Sequence, residues 1–194
     1  MTQTAPSKKI LGIDPGEQTG WAVLICENGR AKLQGFGVIP VTEPGRLGLL
    51  RSVYNWLSTH TDGAETCFSE IVQMPRVPTS HPAVEAQGVV RLWGATGYNP
   101  STVHSQLGTR KKSDVAGYLE RLFGVRVRPD HAADACASAL CHGVKTGVIT
   151  RLDVAPKEEP SGLRAPRGKR IEEKSDYSND ELIEMIRTGK AKIA

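Results

Sequence analysis

Three carboxylates stand at positions from which their side chains can act together. Asp14 ends the apolar run 10–13, and Glu70 lies near the end of another apolar run, in C-F-S-E-I-V. Functional groups gather at the carboxyl ends of strands in open sheets, so parallel neighbouring strands would bring Asp14 and Glu70 side by side. Asp134 lies in the first turn of a predicted alanine-rich helix, and His131 lies three residues earlier on the same helix face.

This set of residues favours metal-dependent chemistry. Carboxylates this close repel each other unless a cation or protons compensate their charge. Oxygen ligands together with one imidazole suit a hard divalent ion such as Mg²⁺ or Mn²⁺. Two such ions can activate a water molecule and stabilise the leaving oxygen of a phosphodiester. The pattern therefore predicts phosphodiester hydrolysis, with Asp14 bridging two metal ions.

Each of these residues also has a purely structural interpretation. The Asp14-Pro15-Gly16 sequence is typical of a turn after a strand. Asp134 alone could stabilise the dipole of a helix start, and Glu70 alone could lie on the surface of an edge strand. The occurrence of all of them, in this order and on these elements, favours a functional site.

The first 150 residues alternate between predicted strands and helices. Strands are predicted at Lys8–Asp14, Trp21–Cys26, Ala31–Ile39, Glu65–Ile71 and Ser101–Leu107, with a hairpin turn at Asn28-Gly29. Helices are predicted at Gly45–Thr59, Ala83–Ala95, from a Ser113 cap to Phe123, and at His131–Val144. This order predicts an α/β fold, a mixed five-stranded sheet flanked by helices. The alanines of the last helix would let it pack closely against the sheet.

Composition narrows the class of protein. The chain has 194 residues and a net charge of +4, a weak indication of an anionic partner. Its four cysteines lack zinc-binding spacing and are expected to be reduced thiols. No apolar run could span a membrane and the N-terminus lacks a signal-peptide core, so we expect a cytoplasmic protein. We predict one domain over 1–150 and a flexible charged extension over 151–194 that ends in a short helix.

Several stretches resemble the RuvC family of Holliday-junction resolvases, which has a ribonuclease-H-like fold. I-L-G-I-D-P-G-E-Q-T-G-W-A-V-L resembles the first strand and turn of that family. S-E-I-V-Q-M-P followed by A-V-E-A-Q-G-V-V resembles its glutamate strand and next helix, and D-H-A-A-D-A-C-A-S-A-L-C-H resembles its closing acidic helix. The resemblance covers residues 8–146 and leaves the extension unmatched.

The resemblance implies a fold and an activity. The sheet would have three antiparallel strands and two parallel ones, and residues 1–150 would form the nuclease domain. The enzyme would be a homodimer of bacterial or phage origin that makes paired symmetric nicks in four-way DNA junctions and leaves 5′-phosphates. Its metal ligands and catalytic residues would be Asp14, Glu70, His131 and Asp134, with two Mg²⁺ or Mn²⁺ ions. Some family members have aspartate at the position of His131 and others have histidine, so His131 is compatible with the family.

The resemblance also implies residues that contact DNA. The loop after the glutamate strand often carries an aromatic wedge in this family, and here Gln73 or Met74 would take its place. The remaining candidates are basic or imidazole side chains in the loops and helix starts near the acids: Arg76, His104, Arg110, Lys111 and Lys112. The helix over 83–95 would form the dimer contact.

Three alternatives remain open from the sequence. The first is a nuclease with a broader substrate range that cuts forks and flaps. The second is a junction-binding protein without catalysis, which the intact set of acids disfavours. The third is an actin-like phosphotransferase, which would need a second domain that this chain lacks the length to form.

Overall fold

The computed structural model describes residues 7–71, 81–109 and 111–154. Its five strands are β1 (Lys8–Asp14), β2 (Gly20–Glu27), β3 (Arg30–Val38), β4 (Ala64–Ser69) and β5 (Thr96–Tyr98). Its five helices are α1 (Gly45–His60), α2 (His81–Leu92), α3 (Pro100–Leu107), α4 (Lys112–Phe123) and α5 (Asp130–Lys145). These counts refer to the described ranges, and the predicted domain boundary near residue 150 stays a prediction.

The strands form one mixed sheet in the order β3-β2-β1-β4-β5. β1 pairs with β2 in antiparallel orientation and with β4 in parallel orientation, so it lies at the centre of the sheet. β2 pairs with β3 in antiparallel orientation, and β4 pairs with β5 in parallel orientation. The predicted mixed sheet of three antiparallel and two parallel strands is therefore confirmed.

Helices cover both faces of the sheet because the strand residues alternate between two cores. Ile10 of β1 is fully buried in a core with α3, α4 and α5. Leu11 and Ile13 are fully buried in a second core with α1 and α2. This alternation is the two-residue period of a strand. It lets β1 contribute side chains to the cores on both faces of the sheet.

Local turn chemistry sets the β2–β3 hairpin as predicted. Asn28 and Gly29 have φ angles of 52° and 75°, the left-handed conformation that an Asn-Gly hairpin requires.

All four cysteines are buried and unpaired. Among the helices of the described ranges, none combines the length and apolar character of a membrane span.

The predicted strand at Ser101–Leu107 is wrong, because these residues form α3. Asn99 caps this helix, since its side-chain oxygen accepts a hydrogen bond from the Ser101 N–H at 3.0 Å. Pro100 occupies the first helical position and Gly108 ends the helix with a φ of 65°. The fifth strand of the sheet is instead the short segment Thr96–Tyr98.

The predicted helix cap at Ser113 is also wrong. α4 begins at Lys112, and the Asp114 carboxylate accepts a hydrogen bond from the Lys111 N–H at 3.2 Å. An acidic side chain in the first turn thus fixes the start of this helix. The predicted extension beyond residue 154, with its terminal helix, lies outside the described residues.

Candidate active site

The ends of β1 and β4 bring the first two acids to one edge of the sheet. Ile13 is in register with Phe68 across the parallel pair, so Asp14 ends its strand next to Ser69. Glu70 follows β4 directly, and its N–H donates to the Tyr98 carbonyl at 2.8 Å. The expectation that the two strands are parallel neighbours is confirmed.

The remaining two candidates reach this edge because α5 packs unusually close to the sheet. A Cβ at Gly12 would overlap the carbonyl oxygen of Ala135, and a Cβ at Gly20 would overlap that of His131. Two glycines in neighbouring strands thus leave room for the helix backbone itself. Because α5 begins at Asp130, Asp134 lies just beyond the first turn rather than within it.

Each acid of the set is paired with a basic side chain. His131 Nδ1 lies 3.0 Å from Asp14 Oδ2, and these side chains are 37% and 19% exposed. The Lys112 ammonium lies 2.7 Å from Asp134 Oδ2, where Asp134 is 20% exposed. Glu70 also has a basic partner, so the three carboxylates of the site are paired one to one with three cationic or protonatable groups.

That third partner is Arg91 of α2, which the sequence suggested only as a dimer-helix residue. Its guanidinium donates to Glu70 Oε1 at 2.8 Å and lies 5.7 Å from the centre of the Phe68 ring. In the same helix, the Gln87 side chain accepts a hydrogen bond from the Ile71 N–H at 2.6 Å. α2 therefore holds both the side chain of Glu70 and the backbone that follows it.

The electrostatics of the site differ from those of isolated side chains. Burial raises the pKa of the Asp134 carboxyl above its usual range, against the opposing effect of Lys112. The hydrogen bond with Asp134 raises the pKa of the Lys112 ammonium. The hydrogen bond with Asp14 raises the pKa of His131. These directions describe a site whose negative charge is balanced by its own cations.

A cleft of about 370 Å³ opens between the ends of β1 and β4, α5 and α3. Asp14, Glu70 and Asp134 all line it, so the structure brings the three predicted acids to one cavity. His131 instead lines the adjoining groove, from which its ring reaches Asp14.

The donor set of this cleft fits a hard divalent ion. Carboxylate oxygens and one imidazole nitrogen are the ligands that magnesium and manganese sites use. In the described ranges, however, no three His, Cys, Asp or Glu side chains stand close enough together to hold an ion. The acids contact Arg91, Lys112 and His131 instead, and the two cations Arg91 and Lys112 would have to release their carboxylates for a metal to bind.

The predicted DNA-contact residues fall into three groups. His104 and Lys112 line the cleft, and His104 Nδ1 lies 3.0 Å from the Thr109 hydroxyl. Lys111 is exposed directly before α4. The other candidates, Gln73, Met74, Arg76 and Arg110, lie outside the described residues.

Comparisons with known proteins agree on one family. No protein-family model matches the chain. The crossover junction endodeoxyribonuclease RuvC of Chloroflexus aurantiacus is 31% identical over 169 residues, which cover 76% of this chain and 99% of that protein. RuvC of Syntrophomonas wolfei is 30% identical over 151 residues, with 69% and 87% of the two chains covered.

Solved structures give the same result. The complex of Thermus thermophilus RuvC with a Holliday junction substrate superposes with a TM-score of 0.56 and 25% identity over 72% of this chain and 97% of that one. The yeast mitochondrial Holliday junction resolvase shares the fold, with a TM-score of 0.52 and 13% identity. The fold and the curated relatives define a ribonuclease-H-like nuclease. The chain belongs to the RuvC family of crossover junction endodeoxyribonucleases.

Proposed function

We propose that this protein is a metal-dependent endonuclease that resolves four-way DNA junctions by paired symmetric nicks. The observation that carries the proposal is the convergence of Asp14, Glu70 and Asp134 on one cleft, although they lie far apart in the chain. Its relatives include a resolvase solved with a Holliday junction substrate. Acids gathered at the ends of parallel strands can hold the divalent ions that phosphodiester hydrolysis uses.

The four residues of the set would divide the work as follows. Asp14, Glu70 and Asp134 would hold the metal, and Asp14 would contact both ions of a magnesium or manganese pair. Bound divalent ions supply the activation of water and the charge stabilisation that phosphodiester hydrolysis requires. His131 would act as a further ligand or orient the attacking water, because its Nδ1 is already fixed by Asp14.

Besides its contact with Asp134, Lys112 would bind the phosphate that is cleaved. Its ammonium lies in the cleft next to Asp134, within reach of a phosphate placed there. With Asp134 engaged as a ligand, the Lys112 ammonium would be available to the negative charge that develops on the phosphate. Cleavage would leave a 5′-phosphate and a 3′-hydroxyl.

Paired nicks require two sites, and we propose that a homodimer supplies them. The surface of α2 supports this arrangement, because the Leu92 side chain is 87% exposed and a Cβ at Gly88 would meet open space. A large exposed apolar side chain beside a glycine suits a helix that packs against its own copy. Leu92→Asp should shift the protein from dimer to monomer in light scattering.

The function is tested with synthetic four-way junctions, flaps and plain duplexes in the presence and absence of Mg²⁺ or Mn²⁺. We expect metal-dependent nicks in the junction, and we expect Asp14→Asn to bind the junction without cutting it. Asp62→Asn, in the loop before β4, is the matched control and should cut like the wild type. Cleavage by Asp14→Asn at the wild-type rate would contradict the assignment, and equal cutting of flaps would point to a general debranching nuclease.

A further inference from the structure

A second groove adjoins the catalytic cleft on the side away from Glu70. It has a volume of about 1000 Å³ and lies between the start of α4 and the connection that leads into α5. It shares Lys112 and Asp134 with the catalytic cleft, so a chain-like ligand can pass from one to the other. Its other polar lining residues include Gln18, Ser113, Arg126, Arg128 and Asp130.

Two arginines of this groove lie on either side of a residue that anchors their segment. Val127 is 1% exposed and packs into the core between the sheet and α5. Its two neighbours in the chain, Arg126 and Arg128, are both exposed. Both line the groove, so two exposed arginines flank one buried residue on its wall.

These arginines also differ from most cationic side chains near the site. Arg91 and Lys112 each contact a carboxylate. Within the described ranges, neither Arg126 nor Arg128 has a carboxylate partner. Two exposed guanidinium groups without partners, side by side on the wall of a groove, are suited to two separate phosphate groups.

We propose that this groove, which we call the α4–α5 groove, binds the phosphate backbone of the DNA arm that leads into the catalytic cleft. Arg126 and Arg128 would each contact one phosphate of that strand. A polyanion that enters the cleft can continue into the groove, because the two share Lys112 and Asp134. This inference rests on the proposed function and adds a binding site that the acids alone do not predict.

The proposal predicts a defined salt dependence. In the full chain with Asp14→Asn to prevent cleavage, Arg126→Gln/Arg128→Gln should weaken junction binding at 50 mM salt. Each lost phosphate contact removes about 0.9 from the slope of log K against log salt concentration, so the slope should fall by about 1.8. The affinity difference between variant and parent should then shrink by about 12-fold between 50 and 200 mM salt.

Two further variants make the test specific. Arg30→Gln/Arg51→Gln removes the same charge from arginines that pair with Asp153 and Glu43, away from the groove. It should leave the slope unchanged. Arg126→Lys/Arg128→Lys keeps the charge and should restore most of the slope. An unchanged slope in the Gln pair, or an equal fall in the control pair, would overturn the proposal.

The failure of this inference can be told apart from failure of the proposed function. Cleavage of the junction by the wild-type chain tests the function alone, because that experiment changes neither arginine. If the wild type cuts the junction and Arg126→Gln/Arg128→Gln has the salt slope of its parent, the groove is not part of the DNA-binding surface. Melting temperatures within a few degrees of the parent show that the variants fold.

Discussion

The two halves of the candidate active site are built by different means. One half consists of Asp14, His131 and Asp134, which come from β1 and α5. The other half is Glu70, which follows β4 and contacts α2. In the first half the backbone of a helix lies directly on glycines of the sheet, whereas in the second half side chains make the decisive contacts.

This contrast separates the part of the site that backbone packing fixes from the part that side chains can adjust. Gly12 and Gly20 meet backbone oxygens of α5, and backbone cannot move without moving the whole helix. Gly97 instead meets the side chain of Glu70, and a Cβ there would lie 2.8 Å from its Cγ. We therefore expect glycine substitutions to damage stability in the first half and catalysis in the second.

Gly20→Ala should give the largest effect, because its Cβ would overlap the His131 carbonyl. Overpacking costs about 1–3 kcal/mol, and rigid backbone places this site at the upper end, about 3 kcal/mol. The melting temperature should fall by about 6–12 °C. Calorimetry or circular dichroism would measure the loss.

Gly117→Ala is the matched control for that experiment. Its Cβ would lie 3.7 Å from the nearest atom, Arg121 Nη1, on the middle of α4. Alanine in a helix interior should stabilise the protein by about 0.5–1 kcal/mol relative to glycine. A Gly20→Ala protein that melts with the wild type would show that α5 does not lie as close to the sheet as described.

Gly97→Ala should separate catalysis from stability in the other half. The new methyl group displaces the Glu70 side chain, which can rotate away at low cost. Misplacement of a catalytic group by about 1 Å can cost about 100-fold in rate, so cleavage should slow by about 10- to 100-fold. The melting temperature should change by less than about 4 °C, equivalent to about 1 kcal/mol. A large fall in melting temperature would instead make this glycine part of the rigid half.

The rigid half is also the half that the sequence predicts best. Apolar runs that end at Asp14 and near Glu70 predict two strand ends, and the alanine-rich segment after Asp130 predicts a helix that can approach the sheet. Each of these features is local in the chain. Small side chains allow close backbone packing, and they can be recognised in the sequence. The close approach of α5 to the sheet could therefore be predicted from the sequence.

The adjustable half could not be predicted in the same way. The contact between Arg91 and Glu70 depends on how α2 rotates about its axis, and the helical period alone does not give that angle. Thr102 and Val103 favour a strand over the residues of α3, but the capping residues Asn99 and Gly108 favour a helix, and the helix forms. The exposure of Arg126 and Arg128 accompanies the burial of Val127, which the core determines.

Arg91→Gln should free the Glu70 carboxylate from its cation. The pair is exposed, so its contribution is about 0.2–1 kcal/mol and stability should hardly change. A metal would then no longer compete with Arg91 for Glu70. The Mn²⁺ concentration that half-saturates the site in a calorimetric titration should therefore fall by up to about fivefold.

Arg51→Gln serves as the control for charge, because Arg51 pairs with Glu43, just before α1, and not with an acid of the site. It should bind Mn²⁺ with wild-type affinity. Weaker metal binding by Arg91→Gln would mean that the arginine holds Glu70 in a ligating position rather than competing for it. The second half of the site would then be as fixed as the first.

The pH dependence of the metal-free protein should come from the rigid half, and its expected size is small. The Asp14 carboxylate raises the pKa of His131 above its ordinary value of 6.5. The pair therefore stabilises the fold fully below about pH 6.5, and this contribution is lost as the pH rises through the folded pKa. Since His131 is 37% exposed, the melting temperature should fall by no more than about 4 °C between pH 6 and 8.5.

His131→Gln should remove that slope, because a glutamine side chain does not titrate. His60→Gln, at the exposed end of α1, should keep it. If His131→Gln retains the wild-type slope, the proton is bound elsewhere and the Asp14–His131 contact does not act as a charged pair. If the slope disappears only in the His131 variant, the imidazole carries a proton in the metal-free site, and a metal that binds Asp14 must displace that proton. Metal affinity should then rise with pH over the same interval.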